Sequence, residues 1–177
     1  MKNKTKILNE YWAHELGLPI LIKGAPVIEI DGYEVLDLDY AKISSALFAA
    51  LILKPYPFTG AEVKFLRLFM GLTLERLASY LHVTHPTILT WEKSNDKPTR
   101  MGDSTEAMLR ILAAKQGVRD DELVELILNR FFDAFRKARK AAQAYPIVEL
   151  STLHKNEISK VFFVEDSDPS MLSVLRI

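Results

Sequence analysis

The sequence predicts a mainly helical α+β protein. Four or five central helices are expected, flanked by a small N-terminal β meander and by a long C-terminal helix with short strands. Three observations carry this. Apolar residues recur at helical spacing from Thr59 to Ala144, interrupted only at Met70-Gly71, His82 to Thr84, Ser94 to Pro98 and Gln116 to Arg119. Short β-rich runs lie on either side of that block. At 49% hydrophobic residues over 177 positions, the chain has enough apolar surface to bury a core. The expected division is 1–57, 58–117 and 118–177.

At the N-terminal end, Leu18 to Ile22, Val27 to Ile30 and Tyr33 to Leu38 have strand character, broken at Gly24 to Pro26 and by the favoured two-residue turn Asp31-Gly32. Alternation is expected to place Glu29, Glu34 and Asp37 on one wet face. Asp39 can cap a helix running to Leu53, and Pro55 and Pro57 end it and begin a linker. The last helical segment, Asp120 to about Ala144, is acidic at its start and basic at its end, which suits the helix dipole. Its apolar stripe (Leu123, Leu126, Ile127, Phe131, Phe135) calls for cover by the C-terminal strands or by a second subunit. Ile147 to Leu150 and Ile158 to Val164 follow as strands, then an acidic turn-rich stretch and an apolar end.

Composition narrows the function classes. Formal net charge is zero, so contact with nucleic acid needs a local basic face. Without cysteine there is neither a disulfide framework nor a thiolate metal site, and a reducing cytoplasm is expected. The start, MKNKTKILNEYWAHELG, lacks the apolar run of about 7–15 residues of a secretory signal. Ala46 to Leu53 falls far short of the roughly 20 residues that span a bilayer, so no membrane partner is expected.

The most informative stretch is LTLERLASYLHVTHPTILTWEK, Leu72 to Lys93. Thr73 is placed to cap a helix whose apolar stripe is Leu74, Leu77, Ala78 and Leu81. A small residue at Ala78 lets a second helix cross closely. His82-Val83 makes the turn, and Thr84 begins a second helix with Ile88 and Trp91 inward. Pro86 falls in its first turn, where a backbone N–H has no intrahelical partner to lose.

These residues, with Thr59-Gly60, Phe65-Leu66-Arg67, Gly71, Thr87-Ile88 and Glu92, resemble the Xre/Cro-type helix-turn-helix family, in the form found in antitoxins of bacterial toxin–antitoxin operons. The resemblance covers Phe58 to about Ala114. It implies a transcriptional repressor that binds double-stranded operator DNA as a homodimer, with a cognate toxin as a further partner; with no catalytic constellation in the sequence, neither an enzyme nor a cofactor is expected. It also implies that the second helix enters the major groove, with His85, Pro86 and Thr90 facing base edges and Thr87 near a phosphate or a thymine methyl. Phosphate contacts are expected from Thr73 with its helix start, and from Lys93, Lys97 and Arg100; Thr84, which begins the second helix, is counted in the same DNA-binding set. Between Phe58 and Arg100 stand six Lys/Arg and four Asp/Glu, a local charge of +2.

The sequence departs from the family pattern at three places. Leu74 stands where a polar residue usually holds the DNA backbone, and His82 where glycine usually turns. His85, Pro86 and Thr90 offer none of the bidentate base contacts that contribute about 1–3 kcal/mol of discrimination each. The alternative expectation is therefore a protein-interaction or assembly module that keeps a degenerate helix-turn-helix as scaffold. Trp91 is expected in the core, and Glu92 in an intradomain cap or ion pair rather than on a base. His14, His82, His85 and His154 have no metal-ligand spacing. The zinc module of some related antitoxins does not carry over, because its cysteines are absent. Ser44-Ser45 lacks a glycine-flanked nucleophile elbow.

Overall fold

The apolar runs at the two ends of the chain meet in one sheet. In the computed structural model, which describes residues 5–54, 56–117, 124–125, 129, 144–150, 158–165 and 168–176, the order is β1 (Thr5–Ala13), β2 (Ile20–Ile30), β3 (Tyr33–Leu36), α1 (Tyr40–Leu53), α2 (Gly60–Phe69), α3 (Leu74–Tyr80), α4 (His85–Glu92), α5 (Asp103–Gly117), β4 (Ala144–Leu150), β5 (Ile158–Glu165) and β6 (Asp168–Arg176). This is an α+β chain with substantial helix. The sheet runs β1-β2-β4-β5-β6, with β3 also on β2. Along one edge β2 pairs antiparallel with β1, from Thr5↔Ile28 to Ala13↔Ile20. Its other edge is shared: β4 pairs parallel at Leu21 to Lys23, and β3 antiparallel at Val27 to Ile30.

Several expectations for the ends of the chain are corrected here. Gly24 to Pro26 does not divide two strands. Gly24 takes φ +76 inside β2 without a change of register against β1, and the Pro26 carbonyl accepts the Asp37 N–H at 2.9 Å. The polar-looking start forms β1, and β6 takes in the last residues of the acidic turn-rich stretch together with the apolar end, because each strand gains a backbone ladder from a neighbour that its own composition does not report. The Asp31-Gly32 turn does form, with φ +51 and +83, both positive as a type I′ hairpin needs. Glu29 and Glu34 are cross-strand partners, and Lys6 crosses β2 to bond Glu34 at 2.8 Å. Asp37 lies beyond the end of β3 and is not on their face. The opposite face of this meander is exposed rather than buried: Tyr33 is 75% accessible and Ile30 44%.

The chain forms two compact units, residues 1–47 with 145–177, and residues 48–144. In the first, Ile20, Ile22, Ala25 and Val27 of β2, Ile43 and Leu47 of α1, and Ile147, Val148 and Val161 form the core. The N- and C-terminal segments, separate in the sequence-based division, thus belong together. The expected helix from Asp120 to about Ala144, with its apolar stripe and basic end, falls almost wholly outside the described residues. Among the described residues no helix is long and apolar enough to cross a membrane.

The start of α1 lies in the first unit, where Asp39 Oδ1 accepts from the Lys42 N–H as a cap, and Ser44 and Ser45 return their hydroxyls to α1 carbonyls. Among the described residues, the second unit holds three buried ion pairs, Lys54–Glu62, Arg67–Glu92 and Arg110–Glu106. Beyond Leu53 the chain is packed, correcting the expected linker: Lys54, Tyr56 and Phe58 are all buried. Lys54 Nζ donates to both Glu62 oxygens at 2.7 Å, while Glu62 Oε2 also accepts from the Thr59 N–H, closing a capping box at the start of α2. Burial holds the Lys54 ammonium below the usual lysine range, against the pull of the Glu62 carboxylate. From α5, Arg110 donates to Leu51 O, Ile52 O and Tyr56 O, pairs with Glu106 at 2.7 Å and lies over the Phe58 ring. One guanidinium therefore meets the Ile52 and Tyr56 carbonyls and gives the Leu51 carbonyl a second donor beside the Lys54 N–H.

Arg110→Met is expected to lower unfolding free energy by about 3–5 kcal/mol, because the buried Glu106 carboxylate and the Ile52 carbonyl lose the guanidinium together. Arg110→Lys recovers only part, since an ammonium cannot reproduce the planar fork. Urea unfolding of the three proteins, followed by circular dichroism, checks both; wild-type stability in Arg110→Met would overturn the assignment.

Candidate nucleic-acid interface

Each helix of the stretch from Thr59 to Lys93 starts and stops on chemistry visible in its residues. Thr73 Oγ1 accepts the Arg76 N–H at 3.2 Å and caps α3. Two helix ends then close in the same way. After α2, Gly71 takes φ +67, its N–H bonds Leu68 O, and the Leu72 N–H bonds Arg67 O at 3.0 Å. After α3, His82 takes φ +53, its N–H bonds Ser79 O, and the Val83 N–H bonds Ala78 O at 3.0 Å. Both are Schellman closures around a left-handed residue, glycine in one and histidine in the other. The resulting turn separates α3 from α4 by the four residues Leu81 to Thr84.

A buried ion pair sets the orientation of α4. Arg67 Nε donates to Glu92 Oε1 at 2.6 Å and Nη2 to Oε2 at 3.0 Å, while Nη1 reaches Leu72 O at 3.0 Å. Ile88 is fully buried beside Leu77 and Ala78 in the same core. Trp91, expected to be a core residue, is half-buried, and so is Val83. The far end of α4 is tied to α2 as well: the Ala61 N–H bonds Asn95 O at 2.8 Å and the Gly60 N–H bonds Lys97 O at 3.3 Å. A Cβ at Gly60 would come within 2.3 Å of Trp91 O, so only glycine admits this approach.

What remains outward is one exposed face. His85, Pro86, Thr90 and Lys93 share it at helical spacing, with half-buried Leu89 between them. Thr84 precedes the helix as an exposed N-cap without a side-chain cap bond; its hydroxyl lies 2.8 Å from that of Thr87. Thr87 is half-buried and thus engaged within the helix start. Thr90 donates its hydroxyl hydrogen to Pro86 O at 2.9 Å, so towards a ligand it presents lone pairs and a methyl group. Lys97 and Arg100 are exposed in the segment after α4, and Thr73 is exposed at the start of α3.

Burial redistributes the local charge. Glu62, Arg67 and Glu92 are consumed in buried pairs, the first with Lys54. Between Phe58 and Arg100 the exposed charges are then Lys64, Arg76, Lys93, Lys97 and Arg100 against Glu75 and Asp96, a balance of +3. Glu75 lies in the first turn of α3. Its carboxyl is held below the usual range chiefly by its own backbone N–H, then by Thr73, with His85 among the smaller causes. A persistent anion near His85 narrows what that face can accept.

Arg67 is the residue that sequence reasoning left without a role. A signal was present: an arginine inside the otherwise apolar run Phe65 to Phe69 has to bury its charge against an acid. The other candidates are not assembled into a site. His14, His82 and His85 are all exposed, and His154 lies outside the described residues. Among the described residues no group of three or more His, Asp or Glu could hold a metal ion. Compared with family models, curated proteins and solved structures, the chain matches none.

Two stability changes follow from this geometry. His82→Gly is expected to stabilise by about 0.5–1 kcal/mol, the left-handed cost of a non-glycine residue less the larger unfolded-state entropy of glycine. Glu92→Ala should destabilise by about 3–5 kcal/mol by stranding Arg67, and adding Arg67→Met should recover part of the loss. Thermal and denaturant unfolding measure both. An unchanged midpoint for Glu92→Ala would mean that the pair does not hold α4.

Proposed function

We propose that this chain is a DNA-binding transcriptional regulator of the Xre/Cro helix-turn-helix type, an antitoxin-like repressor acting in the cytoplasm. The observation that carries this is the division of α4 into two sides. Its inner side is fastened by Ile88 and by the bidentate Arg67–Glu92 pair, and its outer side, with His85, Pro86, Thr90 and Lys93, is exposed. A helix so held can slot into a major groove as a rigid body. Thr73, Thr84 and Thr87 at the helix starts, with Lys93, Lys97 and Arg100, would meet phosphates. A palindromic operator would be met by a homodimer. A cognate toxin is a further proposed partner.

Base recognition by this face is narrow. His85 contributes one hydrogen-bonding edge, Thr90 accepts rather than donates, and Pro86 offers apolar contact to a thymine methyl. Affinity should rest on the phosphates and on DNA shape, and so fall steeply with salt. The same poverty of the outer face, with Glu75 beside it, favours the second reading: an interaction module that retains the two-helix unit as scaffold.

Gel shifts against the DNA upstream of the protein's own reading frame, at low and moderate salt, separate the two. For a repressor, binding falls log-linearly with salt, and a Lys97→Ala, Arg100→Ala double variant reduces that slope by about two. No shift at low salt, for a chain with native circular dichroism, would retire the repressor reading.

A further inference from the structure

The first compact unit contains a cleft whose chemistry is opposite to that of the α4 face. Its volume is about 420 Å³, within the range of about 300–1,000 Å³ common for small-molecule sites. The floor follows from strand register. Val27 at the centre of the meander stands opposite Leu36 of β3 and Lys6 of β1, and Leu8 follows Lys6 on the same side of β1. Tyr11 and Tyr40 add two phenol rings to this apolar base, and the carboxylates of Glu15 and Glu34 complete the lining.

Each polar group has a defined state. Tyr11 donates its hydroxyl to Glu15 Oε1 at 3.0 Å, and the His14 N–H donates to Glu15 Oε2 at 2.8 Å. Its own backbone N–H foremost, then the Tyr11 hydroxyl and the His14 N–H, keep the Glu15 carboxyl below the usual range, so it is anionic at neutral pH. Tyr11 is pushed up by its bond to Glu15, and Tyr40 by burial and then by the same carboxylate, so both phenols stay neutral. Lys6 occupies one oxygen of Glu34 from outside the lining. No Lys or Arg is among the described lining residues. An anion would face two carboxylates with only phenols to receive it. A cation would find the Glu15 carboxylate, the second oxygen of the Lys6-paired Glu34 and two tyrosine rings over an apolar floor, groups that attract ammonium and guanidinium.

We propose that this cleft is a binding site for an organic cation, an alkylammonium or alkylguanidinium group on a short apolar stem. The site is independent of the proposed DNA-binding face and shares no residue with it. Such a group belongs either to a free amine or to a lysine or arginine side chain of a polypeptide.

The test titrates the full chain with butylammonium, with butylguanidinium and with butanol as the neutral analogue, followed by two-dimensional amide NMR. The cations should saturate with shifts centred on Tyr11, Glu15, Glu34 and Tyr40, and butanol should not. Glu15→Gln should weaken the cations about tenfold or more through loss of a charge-assisted contact, and Glu34→Gln should weaken them as well. Both changes lie at exposed side chains, so circular dichroism should remain native. A blocked tripeptide with central arginine that binds more tightly than butylguanidinium identifies a polypeptide source, and equal binding a free cation. Equal response to butanol, absence of saturation, or undiminished binding by both variants overturns the proposal. Gel shifts of Glu15→Gln should match wild type, so failure of this site and failure of the DNA-binding reading are told apart.

Discussion

The helical unit depends on the burial of one arginine against one glutamate. Arg67 directs Nε and Nη2 to Glu92 and Nη1 to the Leu72 carbonyl, so each of its three nitrogens has an acceptor where its charge leaves water. Such a pair adds little net stability relative to a well-packed apolar one, because desolvation offsets most of the attraction. Its effect is directional. A carboxylate on α4 can meet that fork in a single orientation, and a helix rotated by one residue would strand both charges. The exposed face of α4 is defined by what its opposite side is obliged to do.

The same logic recurs at the end of α1. Lys54 with Glu62, and Arg110 with Glu106, are buried ion pairs that also engage backbone, Glu62 through the Thr59 N–H and Arg110 through the Leu51, Ile52 and Tyr56 carbonyls. Leu51, Ile52 and Phe58 pack as any apolar residues would, and many arrangements of them would be nearly equal in energy. The polar members remove that degeneracy, since only one register satisfies the Leu51, Ile52 and Tyr56 carbonyls together. Gly60 acts in the same direction through sterics, with the start of α2 set directly against the last turn of α4.

Charge is organised differently in the two units. In the helical unit each buried pair withdraws one acid together with one base, and the charges left exposed from Phe58 to Arg100 keep a surplus of cations. In the meander the reverse holds around the cleft, where Glu15 and Glu34 stay at the surface beside tyrosines. A formal net charge of zero for the whole chain conceals two local fields of opposite sign.

By itself the sequence determined what is local. Thr59, Thr73, Thr84 and Asp39 mark helix starts, Gly71 and His82 mark left-handed stops, and Asp31-Gly32 marks a hairpin, because each rests on the conformational limits of one residue and its near neighbours. The members of the α4 face were legible for the same reason, helical spacing being a property of consecutive residues. Tertiary structure alone decided the rest. That β2 continues through Gly24 to Pro26, that β1 and β6 are strands, and that β4 returns beside β2 depend on partners far along the chain. That Arg67 belongs to Glu92, and Arg110 to the end of α1, depends on which buried groups are left needing a donor, a quantity that exists only once the helices have packed.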